Sequence, residues 1–306
     1  MSMLLPLVLL AQIGAQPSMG SAAPVDLAPL PIPRRSTVVK SAPPPEARRS
    51  SPDMDRLTLC LAKTRRDPAL GLAEAHSWLA EGGGPMAQVR ANQCLGMALT
   101  ALGNFTDAQK AFASAVKGIP AEQAVSAVPL MAMAGNAALA AGQAQQALGW
   151  FDKAVAVVDY PDKQVIGGIQ ADRARALVAL NRGPEASGAL AQARLLAPMN
   201  AEVWLLSATL ARREDKLAEA QGYIQKANVL NPRDPRIGLE AGVIAVLSGH
   251  DEAARSSWQS VLKVAPGSAE AKTAQGYLDQ LAADTAPPKQ ADGPKQTDTS
   301  QEKAPK

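Results

Sequence analysis

The sequence predicts an all-α protein built as a stack of repeated helix pairs, and three observations carry that expectation. Small residues recur in register at Gly96, Gly135, Ala174, Ala208, Gly242 and Gly276, with spacings of 39, 39, 34, 34 and 34. Aromatic residues make up only 3% of a chain that is 47% hydrophobic, so the core must come from Ala, Leu and Val. Small side chains of that kind suit helices whose axes approach closely. The third observation is punctuation: of 24 prolines, ten precede residue 55 and four follow residue 282. The intervening stretch is therefore open to long helices, because proline in a helix interior removes a hydrogen bond and clashes with the preceding turn.

Taken in order, residues 1–22 read as a signal peptide or apolar leader. Leu4 to Leu10 is apolar apart from Pro6, and Ile13-Gly14-Ala15 offers a small residue for cleavage. A stretch of about a dozen residues is short of the roughly 20 that a membrane-spanning helix needs. Export to a periplasm is the preferred reading. Met1-Ser2-Met3 lacks the usual basic residue, so anchoring by an uncleaved leader and a cytoplasmic location stay open, and membrane contact is expected only in the anchored case. Residues 23–54, with Leu30-Pro31-Ile32-Pro33 and Pro43-Pro44-Pro45, form a proline-rich disordered linker. Residues 283–306 form a polar tail with no apolar side chain larger than Ala, which cannot bury enough surface to offset the entropy of ordering.

Between these segments the repeat is clear. Twelve residues after each of the first five small positions stands Ala108, Ala147, Ala186, Ala220 or Ala254. Four residues later comes a bulky group, Phe112, Phe151, Leu190, Ile224 or Trp258, and three further on Ala115, Ala154, Ala193, Ala227 or Val261. Pro120, Pro198, Pro232 and Pro266 close four of the units. Each unit reads as two amphipathic helices. In one, Cys94, Leu95, Ala98, Leu99 and Leu102 recur at helical spacing, Gly103-Asn104 breaks the run, and Ala108, Ala111, Phe112 and Ala115 resume it. The small residue is expected at the crossing of the two helices, with the bulky one filling the gap toward the next unit.

This pattern resembles the tetratricopeptide repeat family, whose repeat period, small-residue columns and closing proline all occur here. Gly103, Gly142 and Gly249 match the family's turn glycine, and Asn181 and Asp215 replace it with residues that tolerate turns. The family's leading Trp is present only as Trp204; Asn92, Met131, Gln170 and Gly238 hold its place elsewhere. The units fall near 55–88, 89–122, 128–161, 167–200, 201–234 and 235–268, with a cap helix at 269–282. The first unit fits the columns poorly, as terminal repeats do, but offers Asp67-Pro68 as N-cap and first residue of a helix. Extra residues around Ala121 to Ala127 and Tyr160 to Ile166 are placed in connecting loops. The resemblance implies a right-handed α-solenoid of about six helix pairs plus a C-terminal capping helix, with a concave groove.

Little chemistry is encoded. Cys60 and Cys94 lie one repeat period apart, hence at equivalent places on adjacent first helices. They form a candidate disulfide if the chain is exported, and two buried reduced thiols otherwise. With two Cys and two His there is no basis for a zinc cluster. Neither His76 nor His250 has a partner at catalytic spacing, and Gly82-Gly83-Gly84 lacks the Lys-Ser/Thr of a phosphate loop. No catalytic, metal or cofactor site is expected. A net charge of +3 and the scarcity of aromatic stacking platforms argue against nucleic acid as a partner.

The groove is the remaining candidate. The first helices of such stacks line the concave side, and that face maps to Arg90, Gln93, Met97, Asn136, Arg175, Thr209, Arg212, Arg213, Arg236 and Leu239, with Glu202 as the main opposing charge. Guanidinium forks suit carboxylates and carbonyls. The expected function is a non-enzymatic protein-interaction scaffold whose partner is a protein or peptide, an acidic or C-terminal segment in particular. Arg212 and Arg213 also sit where a helix C-terminus favours cations regardless of any ligand. No three consecutive units carry the Lys/Asn clamp of chaperone-binding members. Within the class, the alternative is an assembly factor of a bacterial envelope machine, of pilus or secretion type. Outside it stand an enzyme with an unfamiliar site and a self-associating solenoid.

Overall fold

The computed structural model describes residues 51–285; the leader, most of the linker and most of the tail lie outside the described residues. Those residues contain thirteen α-helices and no strand. Helix α1 (Pro52–Arg66) pairs with α2 (Pro68–Glu81), α3 (Pro85–Ala101) with α4 (Phe105–Lys117), and α5 (Ala124–Ala140) with α6 (Ala144–Val155). Then α7 (Lys163–Ala179) pairs with α8 (Gly183–Leu196), α9 (Ala201–Arg213) with α10 (Leu217–Leu230) and α11 (Pro235–Leu247) with α12 (Asp251–Val264), and α13 (Ala269–Thr285) closes the stack.

Helix starts follow from local chemistry. Ser51, Asp67, Asp162, Asn200 and Asp234 each accept a first-turn N–H on their side chain, which satisfies a donor that has no partner within the helix. Pro52, Pro68, Pro85 and Pro235 occupy the first helical position, where the missing N–H costs nothing. The Ser51–Pro52 start takes α1 three residues into the segment read as linker, and α13 runs to Thr285, past the boundary expected at residue 282. Between the paired helices, Gly103, Gly142, Asn181, Asp215 and Gly249 all have φ between 58° and 77°, the left-handed conformation that the turn requires.

The inserted residues are not simply loops. Ala121–Gln123 forms a 3₁₀ turn and Ala124–Ala127 the first turn of α5, while Lys163–Ile166 opens α7. Both helices are lengthened to 17 residues. Pro129 is accommodated inside α5 because the bond it forgoes would have reached Val125, an exposed residue near the helix start. The segment Ala121–Ala140 is apolar and long enough to cross a bilayer, but it packs between α4, α6 and α7 as a first helix of its unit.

The small-residue column does a more specific job than expected. A Cβ added to Gly96 would lie 2.6 Å from the Phe112 ring, and one added to Gly135 would lie 2.5 Å from the Phe151 ring. Trp258 covers Gly242 in the same way. The bulky residue therefore seats on the small position of its own unit and also joins the core of the next, as Phe112 does with Leu130, Ala134 and Ala137. Glycine faces an aromatic ring in three units, and where the partner is Leu190 or Ile224 the small residue is Ala174 or Ala208. A Cβ added to Gly276 in the cap helix would meet nothing within 4 Å among the described residues.

First helices approach one another along the stack, α7 with α9, α9 with α11 and α11 with α13, whereas among the described residues the backbones of second helices pack chiefly against first helices. The first-helix layer is thus the more crowded, inner side. At the N-terminal end Arg56 joins Glu74 and Glu81 and lies 4.9 Å from the centre of the Trp78 ring, and Lys63 joins Glu74.

Candidate functional site

The inner face positions the residues expected in the groove, but it does not leave them free. Arg90 on α3 donates to Ser51 at 3.0 Å and approaches Asp53 at 3.4 Å. Asn136 on α5 donates its amide N–H to Asp172 on α7 at 3.1 Å. Arg175 bonds Asp172 one turn before it and Glu202 on α9. Glu202 is shared with Arg236, 2.7 Å away, which also holds the α11 cap Asp234 at 2.6 Å. Arg212 pairs with Glu240 at 2.7 Å. Gln93 is half-buried on α3 and joins no such network among the described residues.

Arginine therefore does not outnumber acid on this face. Asp53, Asp172, Asp234 and Glu240 oppose it together with Glu202, and the only guanidinium of those expected in the groove without an acid partner among the described residues is the exposed Arg213. Asp53 and Glu240 reach their arginines from a neighbouring helix, whereas Asp172 and Asp234 stand within one turn of Arg175 and Arg236 and were legible in the sequence. The usable signal was an acid about two turns short of one repeat period, as in Arg175 to Glu202, 27 residues on, and Arg212 to Glu240, 28 residues on. Burial pushes the Asp172 carboxyl up against the opposing pull of Arg175. The bond from Arg236 holds the Asp234 carboxyl below its ordinary value.

Arg213 and Arg175 flank a recess of about 200 Å³ between α7 and α9, walled by Val178, Leu190, Leu206 and Leu210 with Thr209 beside them. Val178 and Leu206 were not among the expected groove residues, because on sequence alone they are two more apolar positions of a helix that needs them for its core. The recess can take one aliphatic or small aromatic side chain, with a cation at its mouth. Among the described residues no group of three or more His, Cys, Asp or Glu is placed to hold a metal ion.

Cys60 on α1 and Cys94 on α3 are joined in a disulfide, fully buried, with their Cα atoms 6.2 Å apart. It ties the first unit to the second, packed between Leu57, Ala75, Trp78 and Ala91.

Helix pairs in one register, a left-handed turn inside each pair, and a small residue seated under a large one define the tetratricopeptide-repeat solenoid. Solved structures share that architecture. PilW, described as a widely conserved type IV pilus biogenesis factor, superposes with a TM-score of 0.62 at 17% identity, covering 74% of this chain and 99% of its own. PilF of Pseudomonas aeruginosa gives 0.58 at 14% identity over 74% of this chain and 97% of its own. A thermophilic tetratricopeptide protein of Thermus thermophilus gives 0.51 at 18% identity over 64% and 99%. At these identities the likeness is one of fold. No protein-family profile and no curated protein sequence matches the chain. The chain therefore has the tetratricopeptide-repeat fold.

Proposed function

We propose that this scaffold holds a protein or peptide segment on its inner face at the α7/α9 recess, and that it acts without catalysis. The observation that carries this reading is the juxtaposition of an apolar recess with Arg213, the one guanidinium of the expected groove set without an acid partner among the described residues. A ligand with an apolar side chain next to a carboxylate, internal or C-terminal, fits that pair, since the apolar part gains from burial and the carboxylate from a charge-assisted bond. The other arginines, already neutralised, fix the spacing of the helices. The test is a peptide selection on the purified chain followed by titration of the selected peptide. Arg213→Ala is expected to weaken binding about tenfold, about 1.4 kcal/mol, and Leu206→Glu to abolish it. Selected peptides with no acidic preference, unaffected by either change, would overturn the proposal.

A second reading, an assembly factor of an envelope machine in the periplasm, is supported by the correspondence of nearly the whole length of PilW and PilF to this stack and by the apolar leader. In-cell crosslinking followed by co-purification separates the two. Pilus or secretion subunits would favour the assembly role, and only soluble partners would count against it.

A further inference from the structure

A site formed by two second helices and the first helix between them is created by the loss of a stack that the preceding unit retains. Between α8 and α10, the Arg194 guanidinium lies 4.5 Å from the centre of the Tyr223 ring and 6.0 Å from that of Trp204. The two rings are 6.0 Å apart, and the Trp204 indole N–H donates to the Pro198 carbonyl at 2.8 Å. Arg194 and Tyr223 line what remains of the groove here, a void of about 20 Å³. One repeat period further on, the same positions hold Asn228, Gly238 and Ser257, and Pro198 becomes Pro232. The groove between α10 and α12 opens there to about 310 Å³, lined by all four of these residues.

The loop around the empty place otherwise keeps its form. The Asn200 N–H bonds Ala197 at 3.1 Å and the Asp234 N–H bonds Asn231 at 3.3 Å, and both Asn200 and Asp234 cap the following helix. The Pro232 carbonyl is thus presented as Pro198's is, but it has no donor among the described residues. Nor can the chain refill the space from its own backbone. Val261 stands where the preceding unit has Ala227, and a Cβ on Gly238 would lie 2.7 Å from its methyl group. The lining carries one charge, Asp234, which is engaged by Arg236 and the start of α11.

We infer that this cleft receives an aromatic side chain bearing a hydrogen-bond donor, a tryptophan or tyrosine, from a partner polypeptide. The ring occupies the place of Trp204 and Tyr223 one unit along, and its N–H or O–H donates to the Pro232 carbonyl. The side chains of Gln225 and Ser260 at the rim, without partners among the described residues, bond the backbone of the segment that carries the ring. A lining without a basic residue excludes phosphate and carboxylate ligands, and an apolar floor of Ile224 and Val261 with one aligned acceptor favours an indole or phenol over an aliphatic chain. The cleft is separate from the α7/α9 recess, so the two proposals stand or fall independently.

The test is backbone amide NMR of the full chain titrated with N-acetyl-tryptophanamide. Saturable shifts are expected in α10, the Pro232 loop and α12, with a Kd of about 1 mM, the range for a single residue without its flanking chain. N-acetyl-phenylalaninamide, which lacks the ring donor, is expected to bind at least threefold more weakly, and N-acetyl-leucinamide not to saturate. Gly238→Trp with Val261→Ala rebuilds the pair of the preceding unit and should erase the shifts. If that variant does not fold, Asn228→Arg with Ser257→Tyr plugs the cleft from the rim and serves the same purpose. Absence of saturable shifts, equal response to leucinamide, or shifts that persist in a plugged, folded variant would each overturn the inference. Free indole binding at least as tightly as the amide would overturn the assignment to a polypeptide.

Discussion

Gly135→Ala separates packing from helix propensity, because the two act in opposite directions at this position. In the middle of α5, alanine should stabilise the helix by about 1 kcal/mol relative to glycine. The new methyl group would lie 2.5 Å from the Phe151 ring, at least 1 Å inside the usual carbon–carbon contact of about 3.5–4.0 Å. Phe151 is fully buried, so its ring can yield only by displacing close-packed neighbours. Overpacking of this kind costs about 1–3 kcal/mol, and a fixed ring puts it at the upper end, so a net loss of about 1–2 kcal/mol is expected. Phe151→Leu alone opens a cavity and should cost about 1 kcal/mol or more. The double change reproduces the Ala174–Leu190 pair of the next unit and should return to within about 0.5 kcal/mol of the parent. The double-mutant cycle thus gives a coupling of about 2 kcal/mol, read from urea denaturation followed by far-UV circular dichroism. Additive single-site losses would refute the claim that the small and large residues are matched in size.

Three further outcomes are expected. Replacing Cys60 and Cys94 with Ser should destabilise the N-terminal pair by up to about 4 kcal/mol, the chain-entropy value for a sequence separation of 34, with amide exchange rising first in α1 and α2; two titratable thiols in the denatured, unreduced protein would refute oxidation. Glu74 is held below the ordinary carboxylate value mainly by its bond from Lys63, and Glu81 is lowered to about 2 by its bonds from Arg56 and Ser77. Because both folded-state values are depressed, their stabilising effect is present above about pH 4.5 and is lost as the pH falls toward 2; α2 should fray in that window, and Glu81→Gln should flatten the dependence. Glu202→Gln frees both Arg175 and Arg236 from their shared acid, so an acidic peptide in the groove should bind about tenfold more tightly and with a steeper salt dependence; unchanged binding would place the ligand elsewhere.

The repeat itself was legible because its cause is local and periodic. The six-membered small column, the turn residues Asn181 and Asp215, and the Asp67–Pro68 helix start each follow from what one residue can do at one backbone position. The groove was legible only in part. Arg90, Arg175, Arg212 and Arg236 lie on first helices, as their place in the repeat implies, but their charge is cancelled by acids that a sum over one face misses. Val178 and Leu206 gave no signal because a residue that walls a recess has the same character as one that fills a core.

Chain order alone determined the class of the fold, the pairing of helices and the equivalence of Cys60 and Cys94, since a fixed repeat period brings equivalent positions side by side whatever the details. Tertiary structure decided which positions within a unit meet: that Phe151 rests on Gly135, that Glu202 serves two arginines, and that Gly238 leaves an opening where Trp204 leaves none. Those facts depend on the sizes and directions of side chains from helices remote in sequence, and packing resolves them only when all the neighbours are in place.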